Sequence, residues 1–228
     1  MLKISGESLA GDNEQGFDFD ILNDLSQNIK ILADKNISIS IVLGGGNFIR
    51  GSSFSNGVVD RVTSDYMGML GTVMNSLALQ SNLEKIGVPS RVMTAISINR
   101  VAEPYIKNKA SRHLEKNRVV IFASGTGNPF FSTDTAAVLR ASEMKSDVIL
   151  KGTKVDGIYD RDPLTHENAK KISEISYVDY LNQDIKVMDA TAISLAKDRG
   201  LPIIIFSIMN SSNIIDIIDG KGSYSIIK

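Results

Sequence analysis

The spacing of apolar residues follows two different patterns along the chain. Leu22, Leu25, Ile29 and Leu32 recur at helical spacing, and a largely apolar run over 37–43 follows and ends at three glycines. The first pattern is typical of an amphipathic helix, and a short apolar run that ends at glycines is typical of a buried strand. This part of the chain therefore predicts a helix that leads into a strand.

The same exchange of helical and strand patterns continues through the rest of the chain. Helices are predicted over 62–86, 106–115 and 136–144, strands near 92 and over 119–123 and 148–150, and further apolar segments lie at 203–206 and 214–218. Short apolar strands that alternate with helices indicate a largely parallel sheet with helices on both faces. We therefore predict an α/β fold, a three-layer α/β/α sandwich around a mostly parallel central sheet, as a single domain over 1–228.

The composition narrows the possible function classes. The formal net charge is −1 and the 25 lysines and arginines are scattered along the chain, which argues against a nucleic-acid partner. The sequence contains no cysteine, so disulfides, thiolate metal sites and a cysteine nucleophile are excluded. No apolar run approaches the roughly 18 residues expected of a membrane span. We therefore expect a cytoplasmic protein without a membrane partner.

Small residues and cations follow two of the predicted strands. Lys3-Ile4-Ser5-Gly6 comes at the end of the first strand, and Gly44-Gly45-Gly46 follows the run over 37–43, with Arg50 nearby. In open α/β sheets, ligands bind beside the carboxyl ends of the strands. Backbone N–H groups of small residues, together with a guanidinium, suit a phosphate. Two phosphate-binding loops are indicated, and a plain tight turn is the alternative for each.

A polar stripe runs along the predicted helix over 62–86. Asp65, Gly68, Thr72 and Asn75 fall on one face, opposite a face of apolar side chains. A stripe of this composition suits close approach to a polar ligand or to a partner helix. The alternative is a solvated helix face.

Two further loops combine groups that bind nucleotides. The loop over 125–134 has backbone donors, hydroxyls and two phenylalanines, and it leads into a helix whose N-terminus favours an anion. Phe130 and Phe131 suit contact with a base, and they equally suit anchoring of the loop in the core. The segment over 151–163 supplies cations, hydroxyls and a carboxylate after a strand. Its Asp-Gly pair is also typical of a hairpin.

In their order along the chain, these segments resemble the amino acid kinase superfamily and, within it, the bacterial UMP kinases. The matching segments are Lys3 to Glu7, Gly44 to Gly51, Asp65 to Asn75, Gly125 to Asp134, Thr153 to Gly157 and Lys186 to Asp189. The Thr-Gly-Asn-Pro-Phe-Phe segment and the Asp65 helix resemble the UMP-specific branch. The resemblance implies transfer of the γ-phosphoryl group of ATP to UMP, in pyrimidine nucleotide biosynthesis.

The resemblance also implies site residues, with an acceptor-binding half over about 1–135 and an ATP-binding half over about 136–228. For ATP it implies Lys3, Ile4, Ser5, Gly6, Gly46, Arg50, Thr153, Tyr159 and Asp162. For UMP it implies Gly45, Asp65, Thr126, Gly127, Asn128, Pro129, Phe130, Phe131, Ser132 and Thr133. For catalysis we predict Lys3, Arg50, Asp134 and Lys154, with Asp134 orienting the two lysines.

The resemblance implies a cofactor, effectors and an assembly as well. These are Mg²⁺ bound mainly through the nucleotide phosphates, a homohexamer, and feedback inhibition by UTP. GTP activation is in question, because Gln80 stands where an arginine is expected in GTP-responsive enzymes, although Arg91 suits such a site. The acceptor oxygen of UMP is already ionised, so no catalytic base is expected.

Three other functions would each require different sequence features. A kinase for an amino acid or carbamate would need extra carboxylate-binding cations in the acceptor half, and few are present. A non-catalytic nucleotide or oxyanion store would not need Lys3, Asp134 and Lys154 together. A dinucleotide-dependent oxidoreductase would need a G-x-G-x-x-G fingerprint, which the sequence does not contain.

Overall fold

The computed structural model describes residues 1–13, 15–49 and 59–228. The helices are α1 (Gly6–Ala10), α2 (Phe19–Asp34), α3 (Arg61–Lys85), α4 (Lys107–Glu115), α5 (Thr133–Met144), α6 (Tyr177–Asn182), α7 (Ala190–Arg199) and α8 (Asn213–Ile218). The strands are β1 (Leu2–Ile4), β2 (Ser40–Leu43), β3 (Ser90–Thr94), β4 (Glu103–Pro104), β5 (Val119–Ala123), β6 (Ile149–Thr153), β7 (Ile158–Tyr159), β8 (Lys171–Ile172), β9 (Glu174–Ile175), β10 (Ile203–Ser207) and β11 (Tyr224–Ile227). The apolar segment over 214–218 belongs to a helix.

Nine of these strands form one sheet in the order β4-β3-β5-β2-β1-β6-β10-β11-β9. Neighbouring strands run parallel, apart from the antiparallel pair β10 and β11. The strands β7 and β8 form a separate antiparallel pair. A mostly parallel central sheet with helices confirms the predicted α/β fold class.

Apolar side chains are buried on both faces of the sheet, which requires helices on both faces. Ile41 and Leu43 of β2 join a core that includes residues of α2, α3 and α8. Val42, between them, joins a different core with Ala136 and Ala137 of α5. Alternate residues of a strand face opposite sides of the sheet, so a strand covered on both sides is apolar at every position. None of the helices in the described ranges is long and apolar enough to span a bilayer.

The carboxyl ends of β1, β2, β5 and β6 lie at one edge of the sheet, because these strands are parallel neighbours. The register places Lys3 of β1 directly beside Lys151 of β6. The glycine loops, the loop over 125–133 and the segment after β6 all begin at this edge. The candidate loops therefore converge, and they bring two lysine side chains together.

Candidate active site

The glycine segments after β1 and β2 pack against each other. The backbone N–H of Gly44 donates a hydrogen bond of 2.8 Å to the carbonyl of Ile4. A Cβ atom on Gly6 would lie only 2.6 Å from the backbone nitrogen of Gly46. Because that distance is shorter than side-chain carbons tolerate, glycine is required at position 6. The two segments form one continuous surface of backbone groups.

The polar stripe of α3 faces these loops. A Cβ atom on Gly45 would lie 2.5 Å from the carbonyl oxygen of Gly68, so the helix backbone approaches the glycine loop directly. The hydroxyl of Thr72 accepts a hydrogen bond of 2.7 Å from the N–H of Ser124, at the end of β5. Thr72 and Asn75 are buried. The stripe is therefore not a solvated face, because it holds the loops that follow β2 and β5.

A buried amide pair fixes the glycine loop to α3. Asn47 and Asn75 exchange two hydrogen bonds of 2.9 and 2.7 Å. Asn75 also donates a hydrogen bond of 2.6 Å to the carbonyl of Gly44. Buried amides are tolerated only when they are hydrogen-bonded, so these contacts favour a single position of the loop.

A cleft of about 180 Å³, which we call the α3 cleft, lies between α3 and the loop after β5. Six residues of the predicted UMP set line it: Gly45, Asp65, Thr126, Phe131, Ser132 and Thr133. The other four, Gly127, Asn128, Pro129 and Phe130, belong to the same loop but lie outside the lining. The predicted acceptor residues are thus largely brought together.

The carboxylate of Asp65 is held from two sides at this cleft. Its Oδ2 accepts a hydrogen bond of 2.7 Å from the N–H of Phe130, and Arg61 Nε donates to Oδ1 at 2.9 Å.

The side chain of Phe130 is 67% exposed and that of Phe131 is 51% exposed. The two phenylalanines therefore do not anchor the loop in the core, and their rings are accessible to a ligand.

A buried group of three charged side chains, which we call the lysine centre, lies at the carboxyl edge. Lys3 Nζ is 2.7 Å from one carboxylate oxygen of Asp134, and Lys151 Nζ is 2.5 Å from the other. All three residues are more than nine-tenths buried. Lys151 also donates a hydrogen bond to the carbonyl of Val187. Two ammonium groups thus share one carboxylate, which leaves an excess positive charge inside the protein.

The position of Asp134 follows from the start of α5. Ser132 caps this helix, because its hydroxyl accepts hydrogen bonds from the N–H groups of Asp134 and Thr135, at 3.0 and 3.2 Å. Asp134 therefore lies in the first turn, where a helix favours an acidic side chain. Asp189, which caps α7, accepts hydrogen bonds from the side chains of Ser132 and Thr135. The starts of α5 and α7 are joined at the lysine centre.

The electrostatics of the lysine centre differ from those of exposed groups. Burial and, to a smaller extent, the charge of Lys3 lower the pKa of Lys151, while Asp134 opposes the shift, and the resulting pKa is about 8. Burial alone would raise the pKa of Asp134, but the charges of Lys3 and Lys151 hold it below its ordinary value. Near neutral pH, Asp134 is therefore ionised and Lys151 is largely protonated.

A second cleft of about 340 Å³, which we call the β6 cleft, opens at the lysine centre. Lys3, Ser5, Thr153, Lys154 and Asp162 of the predicted sets line it, together with Glu7 and Lys151. Glu7 also packs against Gly46 of the α3 cleft, because a Cβ atom on Gly46 would be 3.1 Å from Glu7 Cγ. The two clefts are therefore neighbours, separated by the glycine loops.

Other predicted ATP and catalytic residues lie elsewhere. Ile4 is fully buried in the core, and Gly46 lines the α3 cleft. The hydroxyl of Tyr159 donates a hydrogen bond of 2.6 Å to Asp156, outside the lining of the β6 cleft. Arg50 lies outside the described residues, so its predicted role rests on the resemblance.

The predicted pairing of Asp134 with Lys3 and Lys154 requires a correction. The oxygens of Asp134 are bound by Lys3 and Lys151, while Lys154 is exposed at the rim of the β6 cleft. Lys151 therefore holds the position beside Asp134 that the prediction gave to Lys154. A lysine directly after the strand predicted over 148–150, beside a glycine, was the available signal, but its importance depends on the pairing of β6 with β1.

The described residues do not form a metal site of their own. Across 1–13, 15–49 and 59–228, no group of three or more histidine, aspartate or glutamate side chains is arranged to hold a metal ion. Asp134 is engaged by two ammonium groups and does not present a free oxygen to a metal.

The depressed pKa of Lys151 predicts a specific pH dependence of stability. In the unfolded chain this lysine holds its proton up to about pH 10.4, but in the native state only up to about pH 8. Unfolding therefore takes up a proton in this window, and the free energy of unfolding should rise with pH by at most about 1.4 kcal/mol per pH unit. Urea unfolding of the wild type and of Lys151→Met, measured from pH 7.5 to 10.5, would test this. Parallel curves for the two proteins would contradict it.

Comparisons with known proteins agree with this geometry. The family model of the amino acid kinase family matches residues 1–207 of this chain. A UMP kinase from Ureaplasma parvum is 38% identical, with a TM-score of 0.95, over 100% of this chain and 97% of that chain. A UMP kinase from Bacillus anthracis is 39% identical, with a TM-score of 0.95, over 100% of this chain and 94% of that chain. A uridylate kinase from Archaeoglobus fulgidus shares the fold at a TM-score of 0.76 and 22% identity, over 100% of this chain and 99% of that chain. The chain belongs to the amino acid kinase family.

Proposed function

We propose that the protein transfers the γ-phosphoryl group of Mg-ATP to UMP, giving ADP and UDP, as a step in pyrimidine nucleotide biosynthesis. The observation that carries this proposal is the lysine centre, because Lys3 and Lys151 line the β6 cleft and Asp134 directly follows Ser132 and Thr133 of the α3 cleft. The similarity to two UMP kinases at 38% and 39% identity over the whole chain supports UMP as the acceptor. We assign ATP to the β6 cleft and UMP to the α3 cleft.

The proposed chemistry needs alignment and charge neutralisation rather than a base. Phosphoryl transfer passes through a loose transition state whose negative charge is stabilised by lysines, arginines, backbone amides and Mg²⁺. We assign Lys3 and Lys154 to the transferred group, with the glycine loops and Arg50 aligning donor and acceptor. Lys151 supplies further positive charge, and Asp134 orients Lys3 and Lys151. UMP already has an ionised phosphate oxygen, which attacks the γ-phosphorus while ADP leaves.

The metal belongs to the substrate in this proposal. Mg²⁺ binds few protein ligands when phosphates are available and keeps several of its waters. Asp134 is occupied by two lysines, so the ion enters as Mg-ATP and remains on the phosphate oxygens. The protein then contributes cations and backbone donors around the same phosphates.

The function is tested by measuring ADP release from Mg-ATP with a panel of acceptors. The panel is UMP, CMP, dUMP, GMP, aspartate, glutamate and carbamate. Activity with UMP alone would support both the reaction and base recognition by the loop over 125–133. Activity with an amino acid or carbamate, but not with UMP, would retain the family and overturn the acceptor. Nucleotide binding without any turnover would favour a storage protein.

Lys3→Ala should reduce kcat by roughly 10²–10³, because it removes one preorganised charge that stabilises the transition state. Steady-state kinetics with UMP would measure the loss, and circular dichroism would show whether the variant is folded. Lys109→Ala, at an exposed position of α4, is the control and should keep the wild-type kcat. Unchanged turnover of a folded Lys3→Ala variant would remove Lys3 from the mechanism.

Asp65→Asn should chiefly raise the KM for UMP, because we assign this carboxylate to the ribose hydroxyls. Arg61→Ala is the matched control, since it removes the ion pair with Asp65 but keeps the carboxylate. Initial rates at varied UMP and at varied ATP would separate the two substrates. A change in the KM for ATP alone would mean that the two clefts are assigned in reverse.

We also propose that the protein is a homohexamer. Val62, Tyr66, Leu70 and Met74 recur every four residues along α3 and are exposed, which is typical of a helix face that packs against another chain. Leu70→Glu should therefore give smaller species than the wild type in analytical ultracentrifugation. Val178→Glu, at a similarly exposed position of α6, is the control. A wild-type monomer would refute the assembly.

The proposed effector rests on the resemblance, and the proposed location rests on the composition. We propose inhibition by UTP and a cytoplasmic location. GTP activation is left out, because Gln80 replaces the expected arginine and Arg91 is paired with Glu84 at 3.4 Å and with Glu103 at 3.7 Å. Rates measured with added UTP should show inhibition. Rates measured with added GTP should be unchanged, and activation by GTP would contradict its omission here.

A further inference from the structure

Tyr180 of α6 makes two hydrogen bonds to a single residue in the core. Its hydroxyl accepts a hydrogen bond of 2.6 Å from the N–H of Met188 and donates one of 3.1 Å to the carbonyl of Met188. The Tyr180 side chain is almost completely buried. Burial raises the pKa of Tyr180, so the hydroxyl keeps its proton and serves as both donor and acceptor.

The residues on either side of Met188 contact the lysine centre and its support. The carbonyl of Val187 accepts a hydrogen bond from Lys151 Nζ. Asp189 Oδ1 accepts hydrogen bonds of 3.0 Å from the hydroxyl of Thr135 and 2.8 Å from the N–H of Ala192. The segment over 187–189 therefore contacts Lys151 through its first residue and the start of α5 through its last.

We propose that Tyr180 is a positioning residue, which fixes the segment over 187–189 and thereby the place of Lys151 relative to Asp134. The proposal rests on the phosphoryl-transfer function given above. Tyr180 lines neither the β6 cleft nor the α3 cleft, so we expect its effect on the reaction to pass through the segment over 187–189 and Lys151. Misplacement of a charge by about 1 Å can cost two orders of magnitude in rate.

A purely structural role is the alternative, since a buried tyrosine also fills space. Tyr177 offers a matched control, because it lies on the same helix and its hydroxyl donates a hydrogen bond of 2.7 Å to the carbonyl of Leu201. That carbonyl does not belong to the segment over 187–189. Tyr177→Phe and Tyr180→Phe each remove one hydroxyl from α6, but only the second loosens the segment that holds Lys151.

The first test is kinetic. Tyr180→Phe should lower kcat by about 10-fold, with little change in the KM for ATP or UMP, while Tyr177→Phe should keep the wild-type kcat. In a Lys151→Met background, Tyr180→Phe should cause less than about a 2-fold further loss, because the two residues act through one contact. Equal losses from Tyr180→Phe in both backgrounds, or equal losses in the two tyrosine variants, would overturn the proposal.

The second test follows the charge state of Lys151 and does not depend on catalysis. Among the described residues, Lys3, Asp134 and Asp189 are charged groups that influence this lysine, and burial is the largest cause of its shift to a pKa of about 8. Loosening of the segment admits water, so Tyr180→Phe should raise the Lys151 pKa towards 10.5. NMR titration of ¹³C-labelled lysine side chains would measure it, with Lys151→Met to assign the signal.

The two tests separate the proposal from the proposed function. If the wild type shows no turnover of UMP, the function fails, and the NMR titration still decides whether Tyr180 positions Lys151. An unchanged Lys151 pKa in a folded Tyr180→Phe variant, together with an unchanged kcat where turnover exists, would refute the positioning role. A raised pKa that is absent in Tyr177→Phe would support it.

Discussion

Two buried ammonium groups that share one carboxylate determine how the rest of this site is arranged. Lys3, Asp134 and Lys151 together carry one unit of net positive charge, and all three residues are more than nine-tenths buried. A buried charge of this kind is tolerated only when its partners are fixed and further acceptors are supplied. A phosphorylated ligand brings the missing negative charge, so the site is better balanced when it is filled than when it is empty.

The elements around the lysine centre can be understood as supports for that charge. The sheet presents the two lysines from adjacent parallel strands, and α5 presents the carboxylate from its first turn. The side chain of Asp189 ties the start of α7 to the start of α5. The Asn47–Asn75 pair fixes the glycine loop after β2, which begins at the same edge of the sheet. Each support is a short-range contact, but each depends on elements that are distant in the sequence.

Local patterns were sufficient for the fold class and for the convergence of the loops. Helical spacing located α2 and α3, and parallel strands that end in glycine or polar residues placed the candidate loops at one edge. These patterns could not identify Lys151 as a partner of Asp134, because no local feature of the sequence shows that β6 lies beside β1. The exposure of Phe130 and Phe131 depends in the same way on how their loop meets α3. Spacing shows which face of an element is apolar, whereas pairing and exposure arise only from tertiary contacts.

The placement of Lys3 and Lys151 at matching positions of neighbouring strands has a consequence for how such a protein can diversify. Adjacent strands lie about 4.8 Å apart in any sheet, so the backbone sets the separation of the Lys3 and Lys151 Cα atoms. A loop can lengthen, shorten or change its residues without changing the distance between these two positions. A new acceptor could therefore be adopted by altering the loop over 125–133 and the face of α3, while the spacing that serves phosphoryl transfer is inherited unchanged.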